Sequence, residues 1–320
     1  MSMKYDFCTV TDKNYVYRWL ALCHSIDRYM PDSKIWVLCL DDESQKLINK
    51  LGRKNAETIS IANMNYPELE KLRESRTKQE FAWTCKPAIM NYLLTEKNVK
   101  EMIFVDADLL FYSSIEPLFE KYKDASILIT SHKFPKKKEY IANIVGYYNS
   151  GFIMFRNDEI SRACVLKYKN QCIDWCYNYH DNGRHGDQSY LKTWPKEFKR
   201  VEEITEKGVN LGTWNIERYK ISRKNNKFFI DDEPLICYHF HGLIAYLDKH
   251  AMIKPYPITI HHKEIYGIYL RELQKAYTEI LAVDTEWKLG FAKKPSFLRI
   301  IKQFITQQIR TLIILCRHTQ

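Results

Sequence analysis

The sequence contains little glycine and little proline, with 10 of each among 320 residues, which excludes a disordered or linker-rich chain. It has no uninterrupted apolar run of about 18 residues, the length that a membrane-spanning helix needs. The first residues lack the apolar stretch of a signal peptide, and an intracellular protein is expected. The 9 cysteines include no pair with the C-x-x-C spacing of a structural zinc site. Most lie in apolar runs, so we expect buried thiols.

Acidic residues are absent after Glu286, which makes the charge of the chain uneven. The sequence carries 49 Lys and Arg against 39 Asp and Glu, for a formal net charge of +10. Removing the 7 cations that follow Glu286 leaves +3 for the remainder. Those cations are Lys288, Lys293, Lys294, Arg299, Lys302, Arg310 and Arg317. A basic nucleic-acid-binding protein is therefore a weaker alternative and no nucleic-acid partner is expected, since no RNA- or DNA-binding motif is present.

Short apolar runs alternate with helical periodicity through the first third of the chain. Strands are predicted at residues 5–10, 34–40, 58–61 and 102–105, with helices at 15–29, 43–51 and 80–94. This alternation predicts an α/β fold whose mostly parallel sheet is covered by helices on both faces. Later in the chain we predict strands at 126–130 and 152–155 and helices at 158–179, 187–193 and 263–281.

The apolar run at 102–105 is followed by two carboxylates, Asp106 and Asp108, with Ala107 between them. Side chains at positions i and i+2 of an extended segment point to the same side. Ligands in open α/β sheets bind beyond the carboxyl ends of the strands. The pair therefore predicts a divalent metal that holds a diphosphate. The alternative is that both acids only cap a solvated turn.

Three further motifs follow in order: N-S-G at 149–151, D-Q at 187–188 and H-F-H-G at 239–242. With the D-x-D they resemble the glycosyltransferases of the GT-A fold, above all the retaining family 8 type and related bacterial nucleotide-diphospho-sugar transferases. The stretches 9–15 and 208–215 are also similar to those enzymes, and the resemblance extends over about residues 5–245. It implies a Rossmann-like α/β domain with a mostly parallel central sheet flanked by helices, and a C-terminal amphipathic helical tail follows it.

The resemblance implies roles for individual residues. Asp106, Asp108 and His239 are the implied metal ligands, and a set of two carboxylates and one imidazole suits Mn²⁺ better than Mg²⁺. The implied nucleotide- and donor-binding residues are Thr9, Thr11, Asp12, Tyr15, Lys86, Asp106, Ala107, His241 and Gly242. The implied catalytic residues around the donor sugar are Gln188, Asp187 and Asn149, of which Gln188 faces the anomeric carbon.

The implied reaction is the transfer of a sugar from a nucleotide-diphosphate sugar, a UDP-sugar above all, to a hydroxyl of a glycan or lipid-linked acceptor. We expect retention, with attack from the side of the leaving group. The Gln188 amide is too weak a base to take a proton, but its oxygen can stabilise a cationic sugar. A double displacement requires a carboxylate there, and Asp187 is the nearest candidate in the sequence.

Two positions depart from the family 8 pattern. Leu243 and the residues after it stand where the family has Lys-Pro-Trp, which leaves His241, Lys249 or Lys254 as alternative phosphate contacts. Ser189 stands where family 8 usually has an acid. A nucleotidyltransferase is the second enzymatic alternative, but such enzymes normally open with a glycine-rich loop, and residues 9–15 contain no glycine.

We expect residues 1–260 to form the catalytic domain, with a nucleotide-sugar half at about 1–130 and an acceptor half at about 131–260. A C-terminal helical region at 261–320 ends in a basic amphipathic segment at 297–316. Such a segment suits the surface of an anionic membrane, where each cation contributes about 1 kcal/mol. We therefore expect a peripheral enzyme of surface polysaccharide or glycolipid synthesis on the cytoplasmic face of the membrane. Packing on the domain or in a homodimer is the alternative.

Overall fold

The computed structural model describes residues 5–246, 251–253 and 260–292 of the chain. The strands are β1 (Asp6–Thr11), β2 (Lys34–Cys39), β3 (Ala56–Ser60), β4 (Glu101–Val105), β5 (Leu109–Phe111), β6 (Ile127–Ser131), β7 (Tyr148–Arg156), β8 (Val201–Glu203), β9 (Leu211–Gly212), β10 (Ile221–Lys224), β11 (Lys227–Ile230), β12 (Glu233–Pro234), β13 (Cys237–His239), β14 (Leu243–Ala245) and β15 (Ala251–Ile253). The α-helices are α1 (Val16–Tyr29), α2 (Asp42–Leu51), α3 (Pro67–Ser75), α4 (Lys78–Thr95), α5 (Glu116–Lys121), α6 (Ala142–Val145), α7 (Glu159–Asp174), α8 (Trp194–Glu197) and α9 (Ile260–Val283).

A seven-stranded sheet in the order β3-β2-β1-β4-β7-β6-β8 forms the centre of the fold. Four of its neighbouring pairs are parallel, namely β2 with β3, β1 with β2, β1 with β4 and β6 with β8. β7 runs antiparallel to both of its neighbours, β4 and β6. The predicted mostly parallel sheet is therefore confirmed.

Both faces of this sheet are covered by hydrophobic cores, as the continuous apolar run of β4 predicted. Ile103 and Val105 point into a core that includes residues of α1 and α9. Met102 and Phe104 point into a second core that includes residues of α4 and α7. The alternation along one strand shows that β4 lies in the middle of a helix–sheet–helix sandwich. The expected helical cover on two sides is also confirmed.

Helix α4 carries one of the predicted site residues, and its start is set by local sequence. Thr77 precedes the helix in an extended conformation and accepts a hydrogen bond from the amide N–H of Glu80. The Glu80 carboxylate accepts from the Thr77 amide N–H in return, which completes a capping box. Pro87 lies inside the helix beside Lys86. The cap therefore anchors α4 two turns before the lysine that faces the site.

Several sequence-based boundaries are corrected by the structure. The helix expected at 158–179 ends at Asp174, because Trp175 is extended and packs edge-on against Tyr177 and Tyr179. The strand expected at 152–155 begins at Tyr148. The helix expected at 187–193 is a 3-10 helix from Gln188 to Thr193.

Eight of the cysteines lie in the described part of the chain, and all eight are buried free thiols, as expected. Across the described residues, no helix is long and apolar enough to cross a membrane. The basic amphipathic segment predicted at 297–316 lies outside the described residues, as do Lys249 and Lys254.

Candidate active site

Three polar side chains meet beyond the carboxyl end of β4. Asp106 and Asp108 follow that strand, and β13 pairs antiparallel with β5 so that His239 lies opposite Leu109. The amide N–H of Phe240 then donates to the Asp108 carbonyl oxygen across 2.9 Å. As a result, His239 Nε2 lies 3.1 Å from Asp108 Oδ1 and 3.8 Å from Asp106 Oδ2. We call Asp106, Asp108 and His239 the cation cluster.

The cation cluster has the donor atoms that a divalent metal needs. One ligand atom from each of the three residues lies within 4.8 Å of the others. Asp108 and His239 are buried, and Asp106 is half-buried. Two carboxylates this close in a buried setting repel each other unless a cation lies between them. The three side chains therefore fit a divalent cation, and the alternative of a solvated turn is not supported.

Lys86 of α4 joins the D-x-D motif to the D-Q motif. Its Nζ lies 2.7 Å from Asp106 Oδ1 and 3.6 Å from Asp187 Oδ2. The same ammonium donates to Ser150 Oγ across 3.3 Å. Burial alone would lower the pKa of Lys86, but the Asp106 and Asp187 carboxylates raise it above its ordinary value. Lys86 is therefore a permanent buried cation between two motifs that are far apart in the sequence.

The two carboxylates of the D-x-D motif have different electrostatic environments. Burial raises the pKa of Asp106 above its ordinary value, and Lys86 and His239 offset this only in part. Burial acts in the same direction on Asp108, but His239 and Arg18 outweigh it and hold the pKa of that carboxyl well below its usual range. The closer approach of His239 to Asp108 accounts for this difference. Asp108 is therefore the carboxylate that stays ionised most firmly.

The D-Q motif consists of one buried acid and one partly exposed amide. Asp187 Oδ2 accepts a hydrogen bond from the Tyr168 hydroxyl across 3.0 Å, and its side chain does not cap the following 3-10 helix. Gln188 Nε2 donates to the Val145 carbonyl oxygen across 2.7 Å. Among the described residues, no hydrogen-bond donor reaches Gln188 Oε1. Gln188 Oε1 is therefore available to a ligand, and it is the atom that the predicted stabilisation of a cationic sugar requires.

Asn149 lies in a buried network behind the cation cluster. Its Oδ1 accepts from the Gly151 amide N–H across 2.8 Å and from Asn210 Nδ2 across 2.9 Å. Its Nδ2 lies 3.1 Å from His132 Nε2. Protein groups therefore hold both ends of the amide, and the predicted catalytic place of Asn149 around the donor sugar stays a prediction.

The predicted nucleotide-binding residues lie at the carboxyl end of β1 and in the loop that follows. Thr9 and Thr11 are buried, and Thr9 Oγ1 has no hydrogen-bond partner in the described part of the chain. The Asp12 carboxylate accepts from the amide N–H of Asn14 across 2.9 Å and from its Nδ2 across 3.0 Å. Tyr15 is 42% exposed, so its ring is accessible at the start of α1.

The H-F-H-G motif exposes one imidazole beside the cation cluster. His241 is exposed, and its ring centre lies 6.1 Å from that of His239. Gly242 has a φ of +78°, a left-handed conformation that glycine adopts without strain. The Leu243 carbonyl oxygen accepts from the buried Arg18 guanidinium across 2.8 Å, which ties this loop to α1. Ala107 is buried between the two acids.

Four buried partners of the site were not identified as site residues by the motifs, namely Arg18, Tyr168, His132 and Asn210. A lone arginine in the apolar stretch of α1 is a signal for Arg18, because a buried cation requires partners. Asn210 lies in the stretch 208–215 that already resembled bacterial transferases. Tyr168 and His132 carry no comparable sequence signal.

A cavity of about 380 Å³ lies beyond the carboxyl ends of β2 and β3. Its lining residues are Cys39, Leu40, Asp41, Asp42, Glu43, Gln45, Ser60, Ile61, Ala62, Glu70 and Arg73. Four of these are acids and one is a cation, so an anionic diphosphate does not suit this cavity. None of the predicted donor-binding residues lines it. It adjoins the β1–α1 loop through the Lys13 amide N–H, which donates to Asp41 Oδ2 across 3.0 Å.

This arrangement is that of a glycosyltransferase of the GT-A fold: the sheet order, the cation cluster at the end of β4, and Lys86 between that cluster and the D-Q motif. The family model "Glycosyl transferase family 8" matches residues 8–245, and the chain belongs to this family. The resemblance inferred from the motifs is thereby confirmed, and so are the fold class and the enzyme class.

Two relatives from Bacillus subtilis (strain 168) are similar over most of the chain, and both are described as uncharacterized. YfnF is 34% identical over 244 residues, which cover 74% of this chain and 80% of YfnF. YfnD is 29% identical over 298 residues, which cover 91% of this chain and 95% of YfnD. A crystal structure of the galactosyltransferase LgtC with donor and acceptor sugar analogs has a TM-score of 0.52 and 14% identity. The match covers 92% of this chain and 99% of the LgtC chain, and it supports a shared fold.

Proposed function

We propose that the protein is a metal-dependent glycosyltransferase that moves a sugar from a UDP-sugar to a hydroxyl of a glycan or lipid-linked acceptor, with retention. The observation that carries this proposal is the convergence of Asp106, Asp108 and His239 at the end of a buried strand. Lys86 adds a cation beside that cluster, within reach of Asp187. A dinegative diphosphate requires positive charge at such a point, and a carboxylate cluster alone would repel it.

Asp106, Asp108 and His239 are the residues that hold the metal in this proposal. Their mixed oxygen and nitrogen set favours Mn²⁺ over Mg²⁺. A divalent cation held there would supply positive charge to the leaving diphosphate. Lys86 contributes a second positive charge, and the exposed His241 is the proposed phosphate contact in place of the missing Lys-Pro-Trp.

The donor sugar lies against the D-Q motif in this proposal. Gln188 Oε1 stabilises the cationic sugar, since its amide nitrogen is already bound to Val145. Asp187 is only 3% exposed and engaged by Tyr168 and Lys86, which makes it a poor nucleophile. This engagement supports attack from the side of the leaving group over a double displacement. Proton NMR of the product tests retention: an α-linked donor should give an α-linked product, and a β-linked product contradicts it.

The nucleoside lies at the carboxyl end of β1 in the same proposal. Thr9, Thr11, Asp12 and Tyr15 line its pocket, and Ala107 and Gly242 allow the main chain to approach the donor closely. The Thr9 hydroxyl, which is buried without a partner, is a group that a ligand can satisfy.

The domain limits stay a proposal, with a catalytic domain at 1–260 and a helical region at 261–320. We also propose that the segment 297–316 brings the enzyme to the cytoplasmic face of the membrane, where surface polysaccharide or glycolipid precursors are assembled. A homodimer through the same segment is the alternative. Co-sedimentation of the full chain with lipid vesicles tests membrane association. The chain should sediment with anionic vesicles and much less with neutral ones, and equal sedimentation with both contradicts the proposal.

A thermal-shift panel tests the donor assignment. UDP at about 100 times its Kd, with Mn²⁺, should raise the Tm by about 5 °C, because a ligand that binds only the folded state stabilises it by about 2.7 kcal/mol. UDP without the metal, and ADP, CDP or GDP with it, should produce much smaller shifts. A panel in which no nucleotide diphosphate shifts the Tm with Mn²⁺ contradicts the proposed function.

A further inference from the structure

A chain of three buried polar side chains leads away from the cation cluster. Asn210, Asn149 and His132 follow one another behind His239, and each is at most 7% exposed. Asn210 Oδ1 lies 3.2 Å from His239 Nδ1, the ring nitrogen that faces away from the two acids. We call Asn210, Asn149 and His132 the buried polar chain. Its members are buried and hydrogen-bonded to one another, so they connect His239 to the main chain behind the site.

Two main-chain groups determine the direction of these hydrogen bonds at the far end. The Tyr147 carbonyl oxygen lies 3.3 Å from His132 Nδ1, and a carbonyl can only accept, so Nδ1 carries the proton. Burial lowers the pKa of His132 to about 4, and the neutral ring then accepts from Asn149 Nδ2 at its Nε2. Independently, the Gly151 amide N–H can only donate, and it donates to Asn149 Oδ1. Both groups assign the same orientation to the Asn149 amide.

The orientation of Asn149 determines that of Asn210. Because Asn149 presents its oxygen, Asn210 approaches it with Nδ2, at 2.9 Å. The same Nδ2 donates to Thr130 Oγ1 across 2.8 Å, and the Thr130 hydroxyl donates in turn to the Phe152 carbonyl oxygen. Asn210 therefore has only its oxygen left for His239.

We propose that Asn210 is the positioning residue for His239: its Oδ1 accepts a hydrogen bond from His239 Nδ1–H and thereby directs the Nε2 lone pair toward the proposed cation. This inference rests on the proposed role of the cation cluster. A histidine that ligates a metal through one nitrogen needs an acceptor for the proton on the other, and losing that acceptor typically weakens metal binding 10- to 100-fold. The Tyr147 carbonyl oxygen and the Gly151 amide N–H thus determine the orientation of His239 through the side-chain amides of Asn149 and Asn210.

The backbone at Asn210 allows side-chain removal without new strain. Its φ is +53°, in the left-handed region that asparagine, aspartate and glycine tolerate best. Asn210→Gly removes the acceptor and keeps the backbone conformation accessible. Asn210→Asp keeps an acceptor oxygen toward His239, while its other oxygen replaces the Nδ2 that donates to Asn149 Oδ1 and Thr130 Oγ1. Comparing the two variants therefore separates the loss of the hydrogen bond to His239 from a loss of the fold.

Calorimetric titration of Mn²⁺ into the full chain without donor tests the inference. Asn210→Gly should raise the Kd about 10- to 100-fold, whereas Asn210→Asp should raise it less, because one carboxylate oxygen still accepts from His239 Nδ1–H. Asn157→Ala is the matched control, because Asn157 Nδ2 also donates to two buried carbonyl oxygens, at Leu94 and Val99. It should destabilise the protein and leave the Kd unchanged. Equal Kd values for the wild type and Asn210→Gly overturn the inference but leave the proposed function intact.

A wild-type chain that binds no Mn²⁺ contradicts the proposed function itself, and with it the positioning role. Combining Asn210→Gly with His239→Ala gives a further check, since the two changes should not add if Asn210 acts through His239. Full additivity overturns the inference. If Asn210→Gly does not fold, Thr130→Val takes its place, because it removes a partner that orients Asn210 and keeps the shape of a strand residue. It should raise the Kd for Mn²⁺ by less than the loss of Asn210 itself does, and an unchanged Kd contradicts the role.

Discussion

Asp108→Asn is expected to lower kcat for sugar transfer about 10³-fold at saturating UDP-sugar and Mn²⁺. Asp108 is buried, lies 3.1 Å from His239 Nε2, and keeps its charge because His239 and Arg18 hold its pKa low. Asparagine preserves the shape of the side chain and removes the negative charge that holds the cation. Loss of one preorganised electrostatic contact at a reacting centre costs about 10²–10³-fold, and loss of a metal ligand belongs at the upper end.

The measurement is UDP release with a fixed donor, at several Mn²⁺ concentrations. Asp158→Asn is the matched control, since Asp158 caps α7 far from the cation cluster and accepts from the Ser161 amide N–H. Asparagine caps helices about as well as aspartate, so the change should lower the unfolding free energy by less than about 1 kcal/mol, through the lost ion pair with Arg200, and leave turnover near the wild-type value. An Asp108→Asn protein that keeps more than a tenth of wild-type turnover contradicts the assignment of the cation cluster.

Gly151→Ala is expected to lower Mn²⁺-dependent turnover about 10²-fold, although it adds one methyl group. The new Cβ would lie 2.6 Å from His239 Cε1, 2.7 Å from His239 Nδ1 and 2.8 Å from Asn149 Oδ1. Both neighbours are buried and hydrogen-bonded, so neither can move aside without breaking the contacts that hold His239 in its proposed ligating position. A misplaced metal ligand reduces affinity, and overpacking in a buried site costs about 1–3 kcal/mol of stability.

Gly267→Ala is the matched control for this substitution. Gly267 lies in α9, where an added Cβ would approach only the Arg271 Nη1 atom, at 3.6 Å. Alanine there should raise the unfolding free energy by up to about 1 kcal/mol, since it is the better helix former. Turnover and the Kd for Mn²⁺ should stay unchanged. If Gly151→Ala binds Mn²⁺ as tightly as Gly267→Ala does, the steric account of the N-S-G glycine is wrong.

The sheet was predictable from local apolar patterns, and the cation cluster was predictable from the resemblance to GT-A glycosyltransferases. The apolar run of β4 indicated a strand buried on both faces, and the structure sends its side chains alternately into two cores. The D-x-D, D-Q and H-F-H-G motifs occur in a recognisable order, which implied that Asp106, Asp108 and His239 share a site. The structure shows that they do.

The supporting contacts were not predictable, because they depend on pairings between distant segments. Asn210 reaches His239 only because β13 pairs parallel with β9 and antiparallel with β5, and strands of two or three residues have no clear periodicity. The predicted end of α7 at residue 179 is wrong for a related reason. Trp175 continues the aromatic spacing of the helix, but its packing against Tyr177 and Tyr179 requires an extended backbone.

Anomalous diffraction from crystals grown with MnCl₂ and UDP tests the central claim most directly. We expect one strong anomalous peak within about 2.5 Å of the Asp106 and Asp108 carboxylate oxygens and His239 Nε2, with the diphosphate of UDP on its open side. UDP bound without a peak at these three residues, or with its diphosphate elsewhere, would contradict the account.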